Sequence, residues 1–402
     1  MVMYELLRMK NEGLREGVMA FAQELIDTPS PSWGEHELAD KVARQMEVLG
    51  YHHVYRDTIG NVIGVIHGHE HNSTLLLNSH MDTHQTGEAN QMHIEGDRIY
   101  GAGASDCKGG LAAQVFAGAL LMRSLLPLRG TLVVTASVAE ENGASTGVRT
   151  LMDQTLPEMG LLPDYAILGE PTNLGLYYGH DGWIEMDINI QGADPFQVDD
   201  AAGRIYQRFE AQTGRAHSGV HEVAIQAPVF PRESEGRIAV LRAAKRIQAA
   251  DQAQRVLAET ERDIDLLIQH RSSVTVSVGI CREQQVSCTG HKMQVQHVTN
   301  AWATDPFDPL IDRSRQVLAA AGSPSRPGKW RLGRLGMGTA GATLLNEYNI
   351  PTIGYGPGNE KQAHRPDEWV DGKHVVQGVY GTAAIAHGLI GFPVCGWTSD
   401  EI

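Results

Sequence analysis

Short apolar segments alternate with helical segments at both ends of this 402-residue chain, and this alternation constrains the fold more than any other feature. Buried apolar strands that alternate with helices are typical of an α/β domain with a largely parallel sheet. The predicted helices of this kind cover 108–126 and 372–389. The predicted strands are Asn61–Ile66, Thr74–Asn78, Thr131–Val138, Tyr165–Leu168 and Pro351–Tyr355. We therefore expect an α/β domain with a mainly parallel mixed sheet.

The middle of the chain has a different pattern. Apolar and polar residues alternate strictly over Ile184–Gln191, and apolar residues recur at every second position of Val274–Ile280. This period predicts strands with one solvent-facing side, as in an antiparallel layer. The polar stretch between them, roughly 233–269, predicts a long helix. We expect a second, α+β domain at 183–304, inserted into a first domain formed by 1–182 and 305–402.

Composition excludes several classes of protein. The formal net charge is −15, and an acidic surface repels phosphate backbones, so we expect no nucleic-acid partner. No apolar run reaches the roughly 18–20 residues of a membrane span, and the first residues, MVMYELLRMKNEG, do not resemble a secretory signal. The four cysteines form no CxxC pair, which suits a reducing compartment. We expect a cytoplasmic protein without a membrane partner.

Polar clusters follow the predicted strands, where the ligand sites of open α/β sheets collect. His80 and Asp82 are two residues apart, so an extended backbone points both to the same side. A metal-bound imidazole usually needs a partner that fixes its tautomer, and a carboxylate can serve. Glu140 and Glu141 follow another apolar strand, and a divalent ion would remove the repulsion between them. One of these two carboxylates could bind the ion while the other acts as a general base.

Three further residues complete a possible ligand set. Asp106 lies just before a predicted helix in GAGASDCKGG, Glu170 directly follows a strand, and His364 lies beyond the last strand. Each cluster alone has a structural explanation, such as a helix cap or a solvated loop. Together they supply imidazole and carboxylate donors that suit Zn²⁺, Mn²⁺ or Co²⁺.

The order of these motifs identifies a resemblance. The chain resembles the acetylornithine deacetylase / succinyl-diaminopimelate desuccinylase / glutamate carboxypeptidase family of metallohydrolases. The motifs that carry this resemblance are, in order, HxD, GxGxSDxKGG, EE, GEPT and GPG followed by AH. The resemblance covers about 14–191 and 305–391. It implies a metal-binding α/β domain with an inserted α+β lid, through which members of the family typically form dimers. A homodimer or a higher homo-oligomer is therefore expected.

The resemblance also implies roles for individual residues. One or two divalent transition-metal ions would bind, with His80 and Glu170 at one site, Glu141 and His364 at the other, and Asp106 bridging both. Asp82 would orient His80, and Glu140 would be the general base. The peptide bond between Asp106 and Cys107 would be cis.

The lid departs from the family pattern. The family has a histidine soon after the first lid strand, which stabilises negative charge on the substrate, whereas Gly192 is followed by Ala-Asp-Pro-Phe. His217, in an Arg-Ala-His-Ser context, is the nearest candidate for that role. Alternatively, 192–212 is a new amphipathic helix and His217 is only a loop residue. The apolar face of that helix would comprise Phe196, Ile205, Tyr206 and Phe209.

The substrate loop also departs from the pattern. The loop 337–341, with Gly338 and Thr339 as candidate substrate-binding residues, replaces a more polar family loop. In the GxGxSD motif, Ala102 stands where the family usually has an arginine. The sequence therefore predicts a retained metal site and an altered substrate pocket.

Three functions fit this pattern. The first is a metal-dependent hydrolase that cleaves an amide-type C–N bond in a small carboxylate-bearing substrate, with Glu140 moving a proton from water to the leaving nitrogen. The second is a hydrolytic deaminase of an amino-aromatic acid, such as a nitroanthranilate. The third is a non-catalytic metal- or ligand-binding protein, against which the retention of the non-ligand Glu140 argues.

Overall fold

A mixed sheet of eight strands forms the centre of the protein in the described part of the chain. The computed structural model describes residues 2–70, 73–84, 91–124, 126–141, 144–213, 223–231, 237–248, 251–270, 273–325, 327–328 and 338–392. In spatial order the strands are His53–Arg56, Val62–Ile66, Thr131–Ser137, Thr74–His80, Tyr165–Leu168, Thr352–Gly354, Leu176–Tyr177 and Pro327–Gly328.

The central strands of this sheet are parallel. Thr74–His80 lies between Thr131–Ser137 and Tyr165–Leu168 and is parallel to both, and Thr352–Gly354 continues the parallel set. Every residue of Thr131–Ser137 is buried, as expected of a strand covered on both faces. The predicted mainly parallel mixed sheet is confirmed, and the carboxyl ends of these four strands meet at one edge.

Helices cover both faces of the sheet. Gly109–Ser124 is buried along almost its whole length and packs against Gly372–Ile390, because small residues allow close approach of the two helices. The other helices of this domain are Val2–Glu12, Arg15–Asp27, His36–Leu49, Thr146–Thr150, Leu156–Met159, Pro309–Ala320 and Gly341–Tyr348. In the described residues no helix is both long enough and apolar enough to span a membrane.

Short strands and turns fill the spaces between these elements. A π-helical turn is formed by Leu151–Thr155, whereas Ala104–Lys108 is a kinked turn in which Asp106 and Cys107 have non-helical dihedral angles. A small antiparallel sheet contains His93–Glu95, Arg98–Tyr100 and Trp369–Asp371, and a second pairs Gly179–His180 with Trp302–Ala303. The second sheet lies at the point where the chain enters and leaves the middle segment.

The middle segment forms a separate antiparallel sheet. Its strands are Val223–Ile225, Arg237–Ile247, Gly182–Gly192, Val274–Ile280 and Val298–Thr299. The helices Pro195–Thr213 and Ala253–Ile268 cover one face, and a hairpin of Arg282–Val286 with Lys292–Gln296 follows. This arrangement is consistent with an inserted α+β lid, and we refer to it as the lid; its bounds at 183 and 304 remain a prediction.

One expectation about the lid is wrong. The long helix predicted over 233–269 begins only at Ala253, and Arg237–Ile247 is instead a strand that pairs with Gly182–Gly192 along its full length. Alternate side chains of this strand are buried in the lid core: Ala239, Leu241 and Ala243. Alanine favours helices intrinsically, but pairing along a complete neighbouring strand overrides that preference.

The helix Pro195–Thr213 confirms the predicted amphipathic helix after Gly192. Ile205 and Phe209 are buried against the lid sheet. Phe196, predicted to share their face, is instead 79% exposed, because it lies at the first turn, beyond the edge of the sheet core.

Candidate metal centre

The predicted ligands and bases come together at the carboxyl edge of the central sheet. His80 ends the strand Thr74–His80, Glu140, Glu141 and Glu170 follow the neighbouring parallel strands, and Asp106 precedes the helix Gly109–Ser124. Because adjacent parallel strands end at the same edge, residues far apart in sequence meet there. Those that meet are His80, Asp82, Asp106, Glu140, Glu141, Glu170 and His364.

One group of donors surrounds His80. Its Nε2 atom lies 3.3 Å from Oδ1 of Asp106 and 4.0 Å from Oε2 of Glu170. All three side chains are almost fully buried. The buried thiol of Cys107 is also close, but it donates to the main-chain oxygen of His80 at 3.5 Å.

A second group surrounds His364. Its Nε2 atom lies 2.8 Å from Oε1 of Glu141 and 3.5 Å from Oδ2 of Asp106. Asp106 therefore presents one carboxylate oxygen to each imidazole, which is the arrangement that a bridging ligand requires.

His84 belongs to this second group and was not predicted from the sequence. Its ring stacks on that of His364 with 5.0 Å between centroids, and it can offer a nitrogen beside Glu141. The available signal was its spacing, because His84 lies two residues after Asp82 and so continues the alternation that begins at His80.

Asp82 lies beside His80, the residue that it is predicted to orient. Nδ1 of His80 lies 2.8 Å from the main-chain oxygen of Asp82 and 3.6 Å from its carboxylate, so both groups of Asp82 face this nitrogen. The carboxylate accepts hydrogen bonds from the main-chain N–H groups of Glu140 and Glu141, both at 2.9 Å. The hydroxyl of Ser32 donates to it as well, at 2.6 Å. Asp82 thus ties the two glutamates to the metal-ligand strand.

Glu140 has one committed and one available oxygen. Ser145 donates to its Oε1 at 2.8 Å, while the buried Oε2 has no hydrogen-bond partner among the described residues. Burial raises the pKa of Glu140 to about 7. A carboxylate with a pKa near neutrality can both accept and return a proton, as a general acid–base must.

The electrostatics of the centre favour positive charge. Burial raises the pKa of Glu170 well above its usual range. Burial alone would lower the pKa of His364, but the adjacent Glu141 and Asp106 raise it to about 11. The buried Asp106 has a lowered pKa because both imidazoles bond to its carboxylate. Carboxylates packed this closely are stabilised by a divalent ion, and the imidazole and carboxylate donors fit Zn²⁺, Mn²⁺ or Co²⁺.

The backbone around Asp106 is held by Glu368, which was not predicted. Its carboxylate accepts hydrogen bonds from the N–H groups of Gly103, Ser105 and Asp106, and burial, followed by the charge of Asp106, raises its pKa to about 8. The peptide bond between Asp106 and Cys107 is cis, as the resemblance implied. No spacing in the sequence marks Glu368 as a partner of this turn.

Glycine allows another loop to reach the same turn. A Cβ atom at Gly358 would lie 2.0 Å from the main-chain oxygen of Ser105, so a larger residue would displace the loop that leads to His364.

A cleft separates the metal centre from the lid. Its floor contains His80, Asp106, Glu140 and Glu141, and its opposite wall contains Trp183, Glu185, His297, Val298, Thr299 and Gly338. Gly338 therefore lines the cleft, and its role in substrate binding stays a prediction. Thr339 lies behind it, fully buried, and its N–H donates to Nε2 of His180 at 2.9 Å. His217 lies outside the described residues.

The fold and the site define a metallohydrolase. The model of Peptidase family M20/M25/M40 matches residues 76–387. The chain belongs to this family, whose members are hydrolases that act on peptide or amide bonds and use one or two divalent metal ions.

Relatives are similar over nearly their full length. The chain is 24% identical to the uncharacterized protein YgeY of Escherichia coli K12, covering 93% of this chain and 94% of that protein. It is 26% identical to a putative succinyl-diaminopimelate desuccinylase of Mycobacterium tuberculosis, covering 89% and 94%. The fold matches that of Bacillus subtilis YxeP, described as a dinuclear metal-binding peptidase, with a TM-score of 0.68 and 15% identity over 94% and 99% of the two chains.

Proposed function

We propose that the protein is a metal-dependent hydrolase that cleaves an amide-type C–N bond in a small carboxylate-bearing substrate. The observation that carries this proposal is the position of Asp106 between His80 and His364, with the available oxygen of Glu140 facing the same cleft. A binding protein would need the donors but would have no use for an unpaired carboxylate with a pKa raised to about 7.

The donor set divides between two ions. His80 and Glu170 would hold one ion, Glu141 and His364 the other, and Asp106 would give one oxygen to each. A bound ion would supply Lewis acidity, which polarises the scissile carbonyl and makes an attacking water more acidic.

Glu140 performs the proton transfers. Its Oε2 accepts a proton from the attacking water, and Ser145 holds Oε1 so that the carboxylate keeps its orientation. The same oxygen then donates the proton to the leaving nitrogen, so that an amine departs. The carboxylate of Asp82 positions Glu140 by accepting a hydrogen bond from the main-chain N–H group of Glu140.

The names of the relatives support an amino-acid derivative as the substrate. The Mycobacterium tuberculosis relative is named for removing a succinyl group from diaminopimelate. A relative in Pyrobaculum aerophilum, 26% identical over 87% of this chain and 91% of that protein, is named as a putative hydrolase of [LysW]-lysine and [LysW]-ornithine. Both names describe release of an amino acid from an amide, which is the bond proposed here.

Trp183 favours a second candidate. Its indole forms part of the cleft wall opposite Glu140, and a flat apolar surface suits an aromatic substrate. The second candidate is therefore hydrolytic removal of the amino group from an amino-aromatic acid, such as a nitroanthranilate, with the same base.

We also propose that the chain acts as a homodimer formed through the lid. The strand Val274–Ile280 pairs only with Gly182–Gly192 among the described residues, so its other edge has main-chain groups available for pairing. Sedimentation analysis at several concentrations tests this, and a monomer throughout would contradict it.

The experiment for the activity combines metal analysis with a matched substrate screen. The metal-loaded protein would be assayed with N-acetyl and N-succinyl amino acids and, separately, with aminobenzoates and nitroanthranilates. Release of a free α-amino acid supports the amidase, whereas release of ammonia from the aromatic acids supports the second candidate. Tight metal binding without turnover in either series would favour a binding protein.

A further inference from the structure

Three side chains of types that can bind a metal ion meet on the lid, outside the motifs of the catalytic centre. They are Cys281, Glu283 and His297, whose sulfur, carboxylate and imidazole donors all lie within 4.8 Å of one another. Cys281 is fully buried, while the other two are partly buried. We call these three residues the lid triad.

The backbone places the lid triad on one surface. The N–H of His297 donates to the oxygen of Cys281 at 3.0 Å, so these residues face each other across two strands. Glu283 is two residues after Cys281 along an extended segment, and its side chain therefore points to the same side. Glu185 lies on the adjacent strand. Its main-chain N–H donates to the main-chain oxygen of His297, and its main-chain oxygen accepts from the N–H of Cys281, both at 2.9 Å. Four donor-bearing residues are thus held in register by main-chain hydrogen bonds.

The side chains leave donor atoms available. Nε2 of His297 makes no hydrogen bond among the described residues and lies 3.4 Å from Oε2 of Glu283. Arg242 donates to the other oxygen of Glu283, Oε1, at 3.0 Å, which fixes the carboxylate and leaves Oε2 directed at the imidazole. Nδ1 of His297 faces Glu185 at 3.9 Å. An imidazole between two carboxylates is a common arrangement around bound metal, with one carboxylate as ligand and the other as the partner that sets the tautomer.

The charge around the lid triad also favours a cation. Glu185 and Glu283 lie 3.9 and 3.4 Å from the two ring nitrogens of His297, and Asp187 lies nearby on the guanidinium of Arg242. Asp187 and Glu283 both bind that guanidinium, at 2.9 and 3.0 Å, so two carboxylates share one cation. A divalent ion would balance the excess negative charge.

We propose that the lid triad binds a divalent transition-metal ion of the Zn²⁺ or Co²⁺ class, with Cys281, Glu283 and His297 as ligands. A thiolate with an imidazole selects such borderline ions over Mg²⁺ or Ca²⁺. Ligand distances of about 2.0–2.3 Å require only that side chains already on one surface draw together. Because Glu185 and His297 also line the cleft, the ion would fasten the hairpin Arg282–Gln296 to the wall that faces the substrate.

Cobalt spectroscopy separates this site from the catalytic centre. The catalytic donors are nitrogen and oxygen, whereas ligation by Cys281 would give a thiolate-to-cobalt charge-transfer band in the near ultraviolet. Chelator-treated full-length protein would be titrated with Co²⁺, and its metal content measured after removal of free ion. We expect this band in the wild type. We expect Cys281→Ser to lose the band and to hold one ion fewer per chain than the wild type.

Matched variants identify the source of the band. Cys288→Ser should keep it, since that thiol donates to the main-chain oxygen of Ile59 instead, and Cys107→Ser should keep it if the catalytic centre is free of thiolate. His80→Ala should lose catalytic metal but retain the band, so failure of the proposed hydrolase and failure of the lid site give different results.

Two further variants cover the case in which Cys281→Ser does not fold. In titrations that follow the cobalt band, Glu283→Gln and His297→Gln should each lower the Co²⁺ affinity by more than about tenfold. Even the loss of a partner outside the ligand set lowers metal affinity by about 10–100-fold. Circular dichroism would confirm folding. Absence of the band in the wild type, or an unchanged band and metal content in a folded variant of the lid triad, would overturn the proposal.

Discussion

Asp82 accepts the main-chain N–H of Glu140 at 2.9 Å, so the residue next to the metal-ligand strand fixes the position of the proposed base. The same carboxylate accepts from Glu141 through its other oxygen. One side chain therefore sets both the proton-transfer group and a metal ligand. Any change in Asp82 is expected to affect both functions.

Asp82→Asn tests this coupling. An amide keeps one acceptor oxygen but presents an NH₂ group to the second main-chain N–H, so one of the two bonds is lost. We expect turnover to fall by about 10–100-fold, as for other partners that orient metal ligands. Assay and metal analysis of the same sample measure both effects. Ser32→Ala is a control, because it removes a hydrogen bond to Asp82 but leaves both acceptor oxygens.

Glu140→Gln and Glu141→Gln should have different phenotypes. The first removes the base but no ligand, so we expect turnover to fall by about 10²–10⁴-fold with metal content preserved. The second removes the partner of His364, so we expect metal content to fall. Parallel assays and elemental analysis distinguish them, and an exchange of the two phenotypes would reverse the assigned roles.

Removal of metal should abolish activity and leave the fold intact. The ligands follow strands whose neighbours are fully buried, so the sheet does not need an ion to pack. Dialysis against a chelator, followed by circular dichroism and assay, measures both properties. Addition of Zn²⁺, Mn²⁺ or Co²⁺ should restore turnover. Full activity in protein shown to be metal-free would contradict the mechanism.

The buried imidazole of His387 should make the protein less stable in acid, independently of the metal centre. Burial lowers its pKa from 6.5 to about 4, and its Nε2 has no hydrogen-bond partner among the described residues. Between these values the unfolded chain binds a proton that the folded chain does not, so stability falls as the pH is lowered through this window. The free energy of unfolding of the wild type should fall by up to about 3 kcal/mol through this residue. His387→Gln should lack that loss, as measured by urea unfolding near neutrality and near pH 4, and equal losses would contradict it.

The sequence predicts the central sheet because its strands are apolar runs that end in polar clusters. His80 and Glu170 could be placed together for the same reason, since both follow or end parallel strands that meet at one edge. The sequence favours helix over Arg237–Ile247 because the alternation of this alanine-containing stretch is weak, whereas pairing with Gly182–Gly192 makes it a strand.

The residues that sequence reasoning missed share a different cause. Glu368 acts on three N–H groups of a turn more than 260 residues earlier, and His297 meets Cys281 across a hairpin. Neither pair has a characteristic separation in the sequence, so local sequence patterns do not indicate these contacts. Such contacts depend on the tertiary fold, so they become visible only when the strands are placed.

His217→Ala is the final prediction and concerns the altered lid. The resemblance implies a lid histidine soon after Gly192, where the helix Pro195–Thr213 lies, and His217 follows this helix outside the described residues. If His217 stabilises the developing oxyanion, its loss removes about 3–4 kcal/mol and slows turnover by about 10²–10³-fold. His270→Ala, at a lid position beyond the helix Ala253–Ile268, is the matched control and should have little effect. A decrease of about tenfold or less would assign His217 to a structural loop and favour a reaction without an acyl oxyanion, such as the aromatic deamination.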